Sequence, residues 1–337
     1  MTPVSSVCGT MRKRQEENHK HKGWASWLAA LLWLVPVAGQ SQPYTLLTWN
    51  VENLFDCSHD SLKNDLEFLP QSERRWTHRR YHQKLVQIAR LTASVMPENG
   101  WPLLVGLQEV ENPQVMDDLT RHSPLAKAGY AYVMTDSPDM RGIDVALMYR
   151  PDAFCLISHR AVRIPSAENG LRPTRDILVA KGVVKGMDTL HVAVCHLPSR
   201  AGDTRAGTRN RMLAAAVLRA VADSLQGQRL VVMGDFNADT EDAVFTHLCP
   251  PLHDMKPRTR RSRGEGTYYF QQQWSTLDHI LASDSLLPFL PQEARTVGLP
   301  FLKDKDGHPK RTFKGTIYTG GTSDHLPVAI VLNPSAD

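Results

Sequence analysis

The chain has 337 residues, 42% of them apolar and 22% charged, with a formal net charge of +4. That is ample apolar material for one large α/β domain or two small ones, and it argues against a disordered chain. The basic excess does not single out a nucleic-acid partner, because most of it sits at the N-terminus.

Arg12, Lys13, Arg14, Lys20 and Lys22 form a basic stretch, followed by the mainly apolar run 24–38 and the small pair Ala38-Gly39. This is the pattern of a secretory signal peptide. A run of fifteen residues falls short of the roughly 20 needed to span a bilayer. The expectation is therefore a signal peptide over residues 1–39, a mature chain starting near Gln40, and export to the periplasm or beyond. An uncleaved membrane anchor is the alternative, and Met1 and Met11 both stand as possible starts. Cys57, the first cysteine after the run, lies too far on for lipidation. Without residues 1–39, Lys+Arg falls from 39 to 34 and Asp+Glu from 35 to 33, leaving +1. The remainder, residues 40–337, is expected to be a single domain.

The first predicted strand, 44–49, leads into Asn50. Apolar residues at 81, 85, 88, 91 and 95 predict a helix over 81–95, closed by Pro97. A strand over 103–107 leads to Gln108-Glu109, and another spans 144–149. Strands 177–184 and 189–196 form a hairpin across Lys185-Gly186-Met187-Asp188. A second helix covers 209–225, with Met212, Leu213, Ala216, Val217, Ala220 and Val221 on one face. Strand 230–233 leads to Gly234-Asp235-Phe236-Asn237, strand 277–282 contains Asp278, and strand 327–332 follows Ser323-Asp324-His325. Strands outnumber helices and several are consecutive, so the sheets should be mixed. Long polar loops at 58–76, 258–266 and 300–321 are candidate substrate walls. Cys57, Cys155, Cys195 and Cys249 allow up to two disulfides in three pairings, with Cys195 better placed as plain core.

Polar residues at strand ends project from a rigid scaffold, where metal and phosphate chemistry is usually built. Mg²⁺ takes hard oxygen ligands, commonly one or two carboxylates plus substrate phosphate. Glu109 and Asp324 suit that role, with the Asn50 amide oxygen nearby; Mn²⁺ is the natural substitute. Asp235 can accept a proton from water, and Asn237 can orient that water or hold a phosphate oxygen. His325 and His196 can donate to phosphate, and Asp278 can fix the tautomer of His325. Each feature alone has a plainer explanation: Gly-Asp-x-Asn is often a turn, and His196 would pass for a core histidine. Their joint occurrence, each beside an apolar strand, carries the argument.

In that order, Thr48-Trp49-Asn50, Gln108-Glu109, Gly234-Asp235-Phe236-Asn237, Leu277-Asp278 and Ser323-Asp324-His325 resemble the endonuclease/exonuclease/phosphatase (DNase I-like) superfamily over about residues 44–333. The resemblance implies a four-layer α/β sandwich, two mixed β-sheets face to face with helices outside. It implies Asn50 and Glu109 at a metal with Asp324 beside it, and Asp235 and Asn237 at the nucleophile and scissile phosphate. It also implies an Asp278–His325 pair and His196 on the phosphate, leaving open whether Asp235 or His325 takes the proton. Arg141-Gly142-Ile143-Asp144 and Leu197-Pro198-Ser199-Arg200 look closer to secreted bacterial members of unknown substrate. Arg141, Asp144 and Arg200 are candidate contacts to substrate phosphate, the arginines as bidentate forks. The expectation is a secreted, Mg²⁺-dependent hydrolase of phosphate esters, a phosphodiesterase or nuclease first. The alternatives are a phosphatase or phospholipase acting on inositol-phosphate or sphingomyelin-type head groups, and an inactive binding module on the same fold. Nucleic acid is one expected substrate, with Arg258, Arg260, Arg261 and Arg263 as a basic cluster; a monomer without an obligate protein partner is expected.

Overall fold

A computed structural model describes residues 42–96, 100–200, 205–256 and 266–334 of the chain. In chain order the strands are β1 Tyr44–Leu54, β2 Leu104–Val110, β3 Ala131–Met134, β4 Asp144–Tyr149, β5 Phe154–Val162, β6 Ile177–Val184, β7 Thr189–His196 and β8 Leu230–Asp235. There follow β9 Leu252–Asp254, β10 Tyr268–Phe270, β11 Gln273–Ser275, β12 Asp278–Ser283, β13 Arg295–Thr296, β14 Phe313–Lys314, β15 Ile317–Tyr318 and β16 Val328–Leu332. The helices are α1 His78–Ser94, α2 Pro113–Asp117, α3 Arg205–Ser224 and α4 Ala243–Leu248.

Two six-stranded sheets result, ordered β13-β16-β1-β2-β4-β3 and β5-β6-β7-β8-β12-β9. Both are mixed: β1 runs parallel to β2 and β7 parallel to β8, while the other pairs are antiparallel. Side chains alternate faces along a strand, and here both faces are buried. Leu46, Leu104, Val145 and Leu147 of the first sheet meet Val192, Val194, Val231, Met233 and Ile280 of the second in an inter-sheet core. The alternate residues Leu47, Trp49, Val105 and Leu107 face outward onto Leu85, Ile88 and Leu91 of α1. On the far side, Ala193, Cys195, Val232 and Leu281 face Ala214, Leu218 and Val221 of α3. The layers are thus helix, sheet, sheet, helix, the predicted four-layer sandwich.

The predicted hairpin forms between β6 and β7, with Gly186 at φ 82° in its turn. Strands β3, β5, β9, β10 and β11 had no clear alternation in the sequence. β5 is largely exposed, so its residues carry no core pattern. All four cysteines within the described residues are free, with Cys195 buried in the core. The expected signal peptide, Pro97 and the cluster Arg258 to Arg263 lie outside the described residues.

Candidate active site

Three neighbouring strands bring one row of side chains to the same edge of the second sheet. His196 at the end of β7 pairs in register with Asp235 at the end of β8, and Asp235 pairs with Asp278 at the start of β12. Gly234 makes the close approach possible. It adopts φ +154°, and a Cβ there would stand 1.9 Å from the Cys195 carbonyl oxygen. From the first sheet, Asn50 and Glu109 arrive at register breaks in the β1–β2 ladder rather than at strand ends. Both strands continue past the polar residues, and the breaks re-aim them into the cleft.

The cleft has a volume of about 830 Å³. Five non-glycine residues lining it are left-handed: Glu52 (φ 50°), Asn53 (53°), Glu109 (64°), Asn237 (47°) and Gln271 (45°). Such backbone strain persists where the surrounding structure enforces it and gathers at functional sites.

Asp235 is the centre. Its Oδ1 accepts from the Asn237 backbone N–H at 2.8 Å, the turn that the Gly-Asp-x-Asn sequence also suggested. Its Oδ2 accepts from Asn50 Nδ2 at 3.0 Å and lies 3.5 Å from His196 Nε2 and 3.8 Å from His325 Nε2. Burial pushes the Asp235 carboxyl up to about 7, with His325 pulling the other way. His325 Nδ1 is hydrogen-bonded to Asp278 Oδ2 at 2.7 Å. Burial disfavours its charged ring, but the Asp278 and Asp235 carboxylates outweigh burial and hold its pKa well above the ordinary value. His196 is the opposite case: burial, then the Arg175 and Arg141 charges, keep it neutral. Its Nδ1 has no hydrogen-bond partner, which leaves Nε2 as the nitrogen facing Asp235 and Glu109. Ser323 fixes the approach of His325, donating to the Asn50 carbonyl at 2.6 Å and accepting from the His325 N–H at 3.0 Å.

A second group of charges adjoins this row. Glu109 accepts from Asn53 N–H at 2.8 Å and from Asn50 Nδ2 at 3.3 Å. Asn50 thus turns its nitrogen, not its oxygen, toward Glu109; its oxygen accepts from the Glu52 N–H at 2.9 Å. Asp324 is bonded to Arg311 Nη2 at 2.6 Å, and Arg311 Nε lies 3.6 Å from Glu52. Behind them the buried Lys84 donates to the Glu52 carbonyl and to Thr312 Oγ1. Burial lowers the Lys84 pKa to about 8, while Glu52, Glu109 and Asp324 all raise it, so the three carboxylates share one neighbourhood. Burial, then Asp324, raises Glu52 to about 7. The donors are carboxylate oxygens throughout, and Lys84 with Arg311 offsets two of their three charges. Carboxylate oxygen is the donor type a hard divalent cation takes. Among the described residues at the cleft, the trio whose ligand atoms lie within 4.8 Å of one another is Asp235, Asp278 and His325. There, however, the short Asp278–His325 hydrogen bond already commits the ring nitrogen, so this trio is better suited to moving protons.

Of the expected phosphate contacts, Arg141 and Arg200 line the cleft. Arg200 donates to the Asn237 carbonyl at 2.9 Å, and Arg141 lies 3.5 Å from Asp139. Asp144 does not join them. It is buried at the start of β4, where it accepts from Thr135 Oγ1 at 2.6 Å and from Ser137, so it organises a loop and is not a phosphate contact. Asn237 lines the cleft with its amide nitrogen on the Leu197 carbonyl at 3.0 Å. Loop 300–321 supplies Arg311 to the cleft wall, whereas loop 58–76 supplies no residue to it. Glu52, Lys84 and Arg311 were missed in the sequence. Two of them carried a signal: Glu52 breaks the apolar run after Asn50, and Lys84 sits on the buried stripe of α1 beside Tyr81, Leu85 and Ile88.

The sequence profile of the Endonuclease/Exonuclease/phosphatase family matches residues 45–334. Comparison with curated protein sequences finds no match. Among solved structures, a humanized D. rerio TDP2 shares 19% identity at a TM-score of 0.57, covering 86% of this chain and 99% of that one. The human Nocturnin catalytic domain with bound sulfate gives 19% and 0.55, covering 86% and 93%. A mannosyl-6-phosphatase from Bacteroides thetaiotaomicron gives 16% and 0.55, covering 85% and 98%. At these identities the likeness is one of fold.

Proposed function

This chain belongs to the endonuclease/exonuclease/phosphatase family of phosphoric ester hydrolases, and from that premise we propose that it is an exported, Mg²⁺-dependent phosphodiesterase acting on nucleic acid or a related diester. The observation that carries the reading is Asp235, set within 4 Å of both the His196 and His325 ring nitrogens and beside Glu109. Hydrolysis of a phosphate ester needs a water to be deprotonated and donors for the phosphate oxygens. With its pKa near 7, Asp235 is the proton acceptor. His325, held charged between Asp278 and Asp235, is a donor to the phosphate, and neutral His196 a second one through Nε2. Glu109, Asp324 and Glu52 would hold Mg²⁺, with Asn50 holding Glu109 in place. When bound, the ion supplies charge to the phosphate oxygens. Arg141 and Arg200 flank the phosphate as further cations.

A diester is favoured over a simple monoester because the cleft is far larger than one phosphate and Phe270 stands half-exposed in its wall, free to lie against a second substituent. A lipid head group is disfavoured. The apolar segment Pro288-Phe289-Leu290-Pro291 does not form a membrane-facing loop: Phe289 and Leu290 pack against the inter-sheet core, and Arg229 lies over the Phe289 ring at 4.9 Å. Export rests on the basic and apolar leader, and N-terminal sequencing of the exported protein tests it.

The deciding experiment is a panel of bis-p-nitrophenyl phosphate, plasmid DNA, RNA, sphingomyelin and inositol phosphates, each with Mg²⁺ and with EDTA. Metal-dependent cleavage of the diesters is expected. Turnover of monoesters alone would replace this reading with a phosphatase, and no turnover of any substrate would replace it with a binding module.

A further inference from the structure

Beside the active-site cleft lies a second cavity of about 420 Å³, and Arg141 and Ser199 line both. Its walls carry Arg141, Arg172 and Arg175 against one carboxylate, Asp139, a net charge of +2 (three minus one). Asp139 is saturated. It bonds Arg175 Nη1 at 2.9 Å and the Arg141 N–H at 2.8 Å, and it lies 3.5 Å from Arg141 Nε. Arg175 is almost fully buried, and burial followed by the Arg141 charge pulls its pKa down, as expected of cations crowded without enough counter-charge. The Arg172 side chain is exposed, and among the described residues its guanidinium has no partner. Two buried polar atoms of the walls are also unsatisfied, Thr174 Oγ1 and Arg175 Nε. Buried polar groups rarely go without a partner, and a cationic cavity lined by them is one shaped for an anion.

The cavity is also tied to the catalytic row. The Leu197 carbonyl accepts from Arg175 Nη2 at 2.9 Å on one side and from Asn237 Nδ2 at 3.0 Å on the other. A group seated on the arginines would therefore be held in fixed relation to Asn237 and Asp235.

We propose that this cavity receives a second phosphate of the substrate, so that the preferred substrate carries another phosphate near the scissile one. The inference rests on the phosphodiesterase reading and narrows its substrate class. The chemistry is shared by two sources, the adjoining phosphate of a nucleic-acid strand and that of a polyphosphorylated head group.

Binding tests this without turnover. The affinity of the EDTA-treated protein would be measured for thymidine 5′-monophosphate against thymidine 3′,5′-bisphosphate, and for inositol 1-phosphate against inositol 1,4-bisphosphate. In at least one pair the second phosphate should tighten binding about tenfold or more, the scale of one charge-assisted hydrogen bond. The pair that responds identifies the source. In Arg172→Ala and Thr174→Val that gain should vanish while monophosphate affinity stays unchanged. No gain in either pair overturns the proposal, as does a gain that survives both substitutions, which would seat the phosphate elsewhere. Bis-p-nitrophenyl phosphate, with its single phosphate, separates the two readings. If it is hydrolysed normally while bisphosphates gain nothing, only the second site is lost; if the gain persists without hydrolysis, only the phosphodiesterase reading is lost.

Discussion

Replacing Asp235 by Asn should stabilise the metal-free fold increasingly with pH while it removes activity. In the folded protein, burial raises this carboxyl from an ordinary 3.8 to about 7. The folded state therefore favours the protonated acid, and ionisation erodes stability as pH rises from about 4 through 7. A rise from 3.8 to about 7 corresponds to about 4 kcal/mol. His325 opposes part of this, since its charged ring gains from the same carboxylate. We therefore expect the variant to gain about 2–4 kcal/mol relative to wild type between pH 4.5 and 8. The new amide can still accept from the Asn237 N–H, but its nitrogen then faces the Asn50 amide nitrogen, donor against donor. That penalty does not vary with pH, so the slope carries the test and not the offset. Urea unfolding in EDTA at pH 4.5, 6 and 8 measures it. In parallel, kcat should fall by about 10²-fold or more, the scale of one general-base contribution, with Mg²⁺ affinity near wild type. A stability difference that stays flat across pH refutes the raised carboxyl. A collapse of metal affinity would make Asp235 a ligand rather than the proton acceptor.

Glu109→Ala should remove most activity by weakening Mg²⁺ binding, with the fold intact; near-normal turnover at low Mg²⁺ would reject the assignment. Asp278→Asn should lower kcat by about 10- to 150-fold, from a charge-assisted hydrogen bond of about 1.5–3 kcal/mol. Combined with His325→Ala it should add almost nothing, because a carboxylate that orients an imidazole has no task once the ring is gone. A double mutant slowed by the full product of the single losses would dissolve the pair. Gly234→Ala should cost at least about 3 kcal/mol, since its Cβ meets the Cys195 backbone oxygen at 1.9 Å and the β7–β8 ladder must open; an unchanged urea midpoint would contradict that geometry.

Much of this protein is set by local pattern. Apolar alternation and helical spacing place β1, β2, β4, β6, β7, β8, β12, β16, α1 and α3 because each buries a continuous face, and burial is written residue by residue. The polar residues interrupting those runs, among them Asn50, Glu109, Asp235, Asp278 and His325, stand out for the same reason. Tertiary structure decided what those residues face. Asp278 meets His325 only because β12 pairs beside β8 while His325 enters from the other sheet. Asp144 and Arg141 are close in sequence, yet one is spent on a buried loop and the other lines the cleft. The register breaks that aim Glu52 and Glu109 and the crowding of Arg175 against Arg141 arise between separate segments of the chain, and the salt bridge from Arg311 to Asp324 depends on how one loop folds back on itself. A single sequence records each residue's own preference for burial; which charges share a cavity depends on how the two sheets and their loops close over one another.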